Sequence, residues 1–323
     1  MKKNYKSILI LVTLLIILIF YIIYTDKLVA NFLEYTEVFI KKILPVSFTF
    51  FTISNLLIEY NFLQIIQKIF KINSSYLYIL LLSLISGFPS GAIYTKELLK
   101  KNIIDLNDAN KIIMFSHFPN PLFILNSVLL ITNNKSITYI ILISLILSNI
   151  IIFLFLNNNK NKITSPINYP KDFSNSLVKC ILKSTKTIII IYGTSIFFYL
   201  ISALINNFNN IYIYTFINGI FDLTKGVYST TLINNIILKS IFIISFISFG
   251  SLSIQLQIKS ILSDTPIKYK NYIYGRIIGL ILSLTIFITL LTLSNWKIKS
   301  ICSTSNISYK IYWTYYINSV PIT

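Results

Sequence analysis

The chain alternates long uncharged apolar runs with short lysine-rich ones, and that alternation restricts it to one kind of fold. Ser7 to Tyr24, Ile137 to Leu156 and Thr187 to Ile205 are each long enough to cross a bilayer as a helix. In hydrocarbon only a helix or a closed barrel bonds every backbone group, and runs of this length specify helices. Of the 323 residues, 55% are hydrophobic and 12% charged, and the mean hydropathy is +0.74. Soluble domains are more polar than this. The expectation is an all-α polytopic membrane protein, multi-pass and integral. The formal charge is +18, from 28 Lys+Arg against 10 Asp+Glu. In a soluble chain that excess would suggest nucleic acid. Here the lysines lie between apolar runs, as in cytoplasmic loops facing anionic lipid, so the partners expected are the bilayer and a small solute, not nucleic acid. The joint abundance of Ile, Asn and Lys also matches an AT-rich genome, so part of the lysine excess needs no functional cause.

The next informative stretch is Ser86-Gly87-Phe88-Pro89-Ser90-Gly91, which places two glycines, a proline and two hydroxyls inside the apolar run 76–93. Within a membrane such a break is tolerated only where it is buried in protein or lines a wet cavity. Charge order then predicts the topology. Lys2, Lys3 and Lys6 precede a first uncleaved helix with its start inside; residues 25–42 lie outside or along the surface; a second span covers Ile43 to Ile58. Lys68 and Lys71 on one flank of 76–93, and Lys96, Lys100, Lys101 and Lys111 on the other, predict a hairpin that enters and returns on the same side. Residues 95–111 read as an amphipathic surface helix, Ile112 to Ile131 as a span interrupted at Phe118-Pro119-Asn120-Pro121, and Ile137 to Leu156 as the return.

Residues 157–186 carry six lysines against Asp172 and form the boundary between halves. The second half repeats the plan in the opposite sense. Thr187 to Ile205 goes out, and Ile211 to Tyr228 is broken by Asn218-Gly219, Asp222, Lys225 and Gly226. Leu232 to Phe249 returns and is interrupted at Gly250-Ser251-Leu252-Ser253, with Gln255 and Gln257 close behind, before Gly275 to Leu293 exits. Two inverted-topology repeats are expected, each with a re-entrant helical hairpin and an interrupted transmembrane helix, and a site near the midplane. The divisions are 1–42 (first helix and outside linker), 43–156 (first repeat), 157–186 (basic linker), 187–295 (second repeat) and 296–323 (tail). Cys180 and Cys302 fall on opposite sides and should not pair. One histidine, His117, without a cysteine cluster, argues against a metal site.

These motifs, Ser86 to Ala92 with Glu97, Asn120 to Ile124, Gly219 to Gly226, Phe249 to Gln257, and Arg276, resemble the YlbJ-type sporulation integral membrane proteins. That family sits with the nucleoside-recognition or gate domain proteins and resembles concentrative nucleoside transporters in architecture. Asp222 stands where the family more often has glutamate, and Ser251 where it has a second glycine. The resemblance implies movement of dipicolinate from the mother cell across the outer forespore membrane during spore formation, in that membrane or the cell membrane. Half-helix N-termini suit such a dianion, since their free N–H groups and partial positive charge hold carboxylates. Leaving a negative-inside cytoplasm favours each negative charge by roughly 2.3 kcal/mol per 100 mV.

The substrate-binding candidates are therefore Ser86, Gly87, Ser90, Gly91, Asn120, Asp222, Lys225, Gly250, Ser251, Ser253, Gln255 and Gln257. Pro89, Glu97, Pro121, Gly219 and Gly226 are candidates for gating or structure. Plainer readings stand beside these. The glycines could serve close helix packing, the prolines a kink, Glu97 a solvated pair with Lys96 or Lys100, and Asp222 with Lys225 a neutralising pair. His117 reads as a packing or interfacial residue. No nucleophile-base pair or acidic cluster supports an enzyme, and no cofactor is expected. A non-transporting spore-envelope assembly or recognition protein, and a carrier of nucleoside-like solutes, remain open, as does a homo-oligomer.

Overall fold

A computed structural model describes residues 2–62, 75–157, 172–205 and 208–293, and every regular element among them is helical. Lys68, Lys71, residues 158–171 of the basic linker, Cys302 and the tail lie outside the described residues. Helix α1 (Lys2–Ile23) is apolar all round, leaves most of its side chains exposed, and meets α2 (Thr25–Val38) at 93°. A π turn (Phe39–Ile43) carries α2 without a break into α3 (Leu44–Glu59). Residues 25–42, read above as a linker, are thus helical. Together α2, the π turn and α3 form a helical stretch from Thr25 to Glu59. Its partner is α9 (Phe173–Leu204), which runs antiparallel to it. The Tyr35 and Tyr199 rings meet at a tilt with centroids 5.0 Å apart, the Thr36 and Tyr192 hydroxyls are 2.7 Å apart, and Asn55 donates to Ser184. Leu28, Tyr35, Phe39, Phe51, Ile196 and Leu200 bury an apolar seam between the two rods.

The main core is built from pieces shorter than a span. Helices α4 (Ser75–Ser86) and α5 (Ser90–Lys100) form a first hairpin, followed by α6 (Leu106–Phe115), α7 (Pro121–Thr132) and α8 (Lys135–Leu156). Residues 95–111 are therefore not one surface helix: they finish α5, turn at Lys101, and begin α6. In the second half, α10 (Ile211–Phe221) and α11 (Leu223–Ser229) form a hairpin. Then come α12 (Ile236–Phe249), α13 (Leu252–Leu262) and α14 (Tyr269–Leu293). Among the described residues four stretches are long and apolar enough to cross a membrane: α8, α9, α12 with α13, and α14. Counting α1 with α2 makes five. The expected spans at 43–58 and 112–131 correspond to shorter apolar helices, Leu44–Glu59 and Pro121–Thr132.

One end of the molecule is tied by ion pairs. Glu59 binds Lys179 at 2.7 Å and Lys101 at 3.4 Å, Glu97 binds Lys183 at 2.9 Å, and Asp264 binds Lys100 and Lys96. Bonds to Lys100 and Lys96 hold the Asp264 carboxyl well below its ordinary range. The start of α4 lies at this end too, because the Tyr76 hydroxyl donates to Asp108 at 2.8 Å. The first hairpin therefore begins and finishes at the lysine-rich end. At the other end Lys239 of α12 donates to the Ile131 carbonyl at the close of α7. In a protein with Cys180→Ser and Cys302→Ser, thiols introduced as Lys100→Cys and Asp264→Cys should react with an impermeant reagent from one face of the membrane. Lys135→Cys and Asn234→Cys should react only from the other. Labelling of positions 100 and 135 from the same face would overturn this arrangement.

Candidate functional site

The first break starts where α4 ends. Gly87 takes a left-handed φ of 73° and Pro89 leads into α5. This tip lies on the unwound segment between α6 and α7, and the Phe88 N–H donates to the Phe118 carbonyl at 2.7 Å. The approach is closest at Gly91, where any Cβ would collide with the Ser116 carbonyl. Asn149 of α8 donates to the His117 carbonyl at 2.9 Å. The candidate hydroxyls face outward from this contact. Ser86 lies 2.9 Å from Ser54 of α3 and accepts from Tyr94 at 2.8 Å, while Ser90 is wholly buried. Asn120 accepts from the Leu122 N–H and so caps α7, with Pro121 in its first turn. That explains the Asn-Pro pair locally: an oxygen acceptor followed by a residue with no N–H to satisfy.

The second break has the same construction with different chemistry. The hairpin closes tightly: a Cβ on Gly226 would strike Gly219, and the Phe246 ring of α12 packs against both. Thr215 donates across it to the Ser229 carbonyl. Its tip residue, Asp222, is buried and accepts from the Lys225 N–H at 3.0 Å and from the Ser253 hydroxyl at 3.2 Å. Ser253 lies 2.7 Å from Ser251 at the break between α12 and α13, where Gly250 has φ 83°. Gln255 donates back to the Phe249 carbonyl at 2.8 Å and accepts from Tyr269 at 2.6 Å. These residues come together. Gln257 does not join them; it donates to Ser195 of α9. The Lys225 ammonium lies 4.4 Å over the Tyr199 ring, so Asp222 takes from Lys225 its backbone N–H. Glu97 stands apart from both tips, in the ion pairs at the lysine-rich end.

Between the two units sits a group of residues that the sequence reading undervalued. Arg276 of α14 is fully buried. It donates to the Met114 carbonyl at 2.7 Å, to the Ser248 carbonyl at 3.2 Å and to the Asn149 amide oxygen at 3.0 Å. Those carbonyls belong to the last turns of α6 and α12, whose negative dipole ends favour a cation. One turn earlier, the Tyr272 hydroxyl is 3.0 Å from His117 Nδ1. Phe88, Pro89, Ser116, His117, Ile258 and Tyr272 line a narrow cleft between the first tip, α13 and α14, too constricted for a water-sized sphere. Tyr272 and Asn149 carry no sequence signal of their own. Arg276 does: it is the sole arginine in a chain otherwise using lysine, and a guanidinium fork is not replaceable by an ammonium.

Two substitutions check this packing. Gly91→Ala should push the first tip off the Ser116 carbonyl and lower stability by roughly 1–3 kcal/mol, the usual cost of overpacking. Gly193→Ala has open space around its Cβ and should leave the melting temperature of the detergent-solubilised protein unchanged. Equal melting for the two variants would refute the tight tip contact.

No family model matches the chain, and no solved structure matches it. Among curated proteins it is similar to the sporulation integral membrane protein YlbJ of Bacillus subtilis (strain 168). The two are 23% identical over 294 residues, covering 75% of this chain and 71% of that protein. The resemblance carried by the two sets of breaks is borne out by that match: this multi-pass integral membrane protein is similar in sequence to the YlbJ-type sporulation proteins.

Proposed function

We propose that the chain is a transporter of a small anionic solute, dipicolinate being the solute that fits the resemblance, carried out of the mother cell across the outer forespore membrane. The observation that carries this reading is the pairing of each hairpin tip with a broken helix, at Phe88–Phe118 and at Asp222–Ser253. Two such pairs place unwound backbone and buried polar groups deep in an apolar protein, an arrangement whose cost is justified where a solute must pass. An inverted repeat accounts for the order of elements. Each half reads long helix, hairpin, broken helix, long helix. The first hairpin begins and finishes at the lysine-rich end, and the second closes toward the end where α7 finishes and α12 begins. The two hairpins are re-entrant in this reading. The tips close the cleft against their breaks, so passage requires at least the first tip to withdraw from Ser116 to Asn120.

Purified protein in proteoliposomes should take up radiolabelled dipicolinate saturably. Gln255→Ala removes the donor to the Phe249 carbonyl and should reduce the initial rate by about tenfold, the scale of one lost buried hydrogen bond. Asn120→Ser keeps an oxygen cap on α7 and should retain most of the rate. Absence of flux with normal folding would favour a spore-envelope assembly role, and normal spore dipicolinate in a deletion strain would remove that substrate.

A further inference from the structure

Arg276 is the one arginine against 27 lysines, and it is the fully buried cation of the core. Among the described residues no carboxylate forms an ion pair with it. Its three acceptors are neutral, two main-chain carbonyls and the Asn149 amide. Helix C-termini stabilise a cation, but a whole buried charge without a counter-charge is expensive and marks function by default. One donor, Nε–H, is buried with no acceptor at all. Both Nη atoms are taken by the Ser248 and Met114 carbonyls and the Asn149 amide, so Nε–H is the guanidinium donor left for a carboxylate, through one charge-assisted bond.

The surroundings supply the rest of a site. The Ser116 hydroxyl, two residues after Met114, is likewise buried without a partner. Ser116 lines the cleft with His117 and Tyr272. The Tyr272 ring lies 5.6 Å from the guanidinium carbon, and Phe88 stacks on His117 at 4.9 Å with their planes 12° apart. Flat rings near a cation without a counter-charge suit a planar aromatic carboxylate once the cleft opens.

The geometry points to Arg276 as the residue that selects for negative charge, its free Nε–H receiving a carboxylate oxygen of a flat aromatic anion while Ser116 donates to the same ligand. The inference rests on the transporter reading and adds to it the site where the solute is held. With no anion present, the helix carbonyls keep the guanidinium solvated. When the first tip withdraws, a carboxylate oxygen takes Nε–H, the donor that faces no acceptor.

The test is ligand-dependent melting and isothermal titration of the full chain in nanodiscs. The ligands are pyridine-2,6-dicarboxylate, benzene-1,3-dicarboxylate, the dimethyl ester of the first, and uridine. Both dicarboxylates should bind and stabilise, and the ester and uridine should not. Arg276→Lys, which keeps the charge and loses the fork, should weaken dicarboxylate binding by at least about tenfold. Ser116→Ala removes a hydroxyl that has no partner, so unliganded melting should stay unchanged while affinity drops by about threefold or more. If wild type binds dicarboxylates and both variants bind them equally well, the assignment of Arg276 and Ser116 is overturned while the transporter reading stands. If wild type neither binds nor transports any dicarboxylate, that reading fails too. Should Arg276→Lys not fold, the affinity of Ser116→Ala decides.

Discussion

Main-chain groups released at a helix break must find partners inside an apolar protein, and this requirement organises the whole core. A peptide N–H or carbonyl buried without a bond costs on the order of 1–3 kcal/mol, so several together would undo a domain of ordinary stability. Here the partners come from other elements. The Phe118 carbonyl is met by Phe88, the His117 carbonyl by Asn149, the Phe249 carbonyl by Gln255, and the Met114 and Ser248 carbonyls by Arg276. No break is satisfied by its own helix alone. The first tip is therefore folded only when α6 has ended where it does. The ends of α6 and α12 in turn depend on one side chain of α14.

That side chain also explains why lysine would not serve. An ammonium offers three donors from one point on a flexible stem. The guanidinium spreads its donors across a plane and reaches α6, α8 and α12 at once. Gly275, beside it, lets α14 come close enough, since a Cβ there would collide with the Met114 backbone. The lysines do the opposite work. Lys96, Lys100, Lys101, Lys179 and Lys183 sit at the end of the molecule in half-exposed pairs. Such pairs contribute little stability each, but their shared location keeps the hairpin's two ends together.

How much of this was legible follows from how much sequence each feature occupies. The all-helical architecture came from long apolar runs. The breaks came from Gly87, Pro89, Gly91, Pro119 and Pro121, residues whose backbone limits act locally and so can be read locally. The lysine-rich end followed from counting charges between runs. Residues 25–42 were misjudged because Asp26, Lys27, Glu34, Glu37 and Lys41 look like a loop; the long contact with α9 makes them a helix, which the local composition does not announce. Arg276 enters the sequence reading only among the motifs that carry the resemblance. Its meaning lies in Met114, Asn149 and Ser248, which are more than 25 residues away in every case. Pairings at that separation leave no local trace.

The two tips differ in a way that bears on where an anion can go. At the second tip Asp222 already fills the N-terminal end of α11, so its own carboxylate uses the free N–H groups and repels another. At α7 the Asn120 oxygen does the same without charge. The remaining half-helix starts are those of α5 and α13. These run side by side in the same direction: Ala92 and Ile258 line one cleft, and Lys96 bonds the Ile261 carbonyl. The start of α13 lies at the second break, where Ser253 bonds Asp222, so of these two helices α5 begins at the first tip, on the side of the core that holds Arg276. The α5 dipole, the Arg276 Nε–H and the Ser116 hydroxyl favour negative charge on that side. The buried carboxylate of Asp222 disfavours it on the other. The two tips thus differ electrically: the second already holds the protein's own carboxylate, and the first lies on the side of the core that holds Arg276.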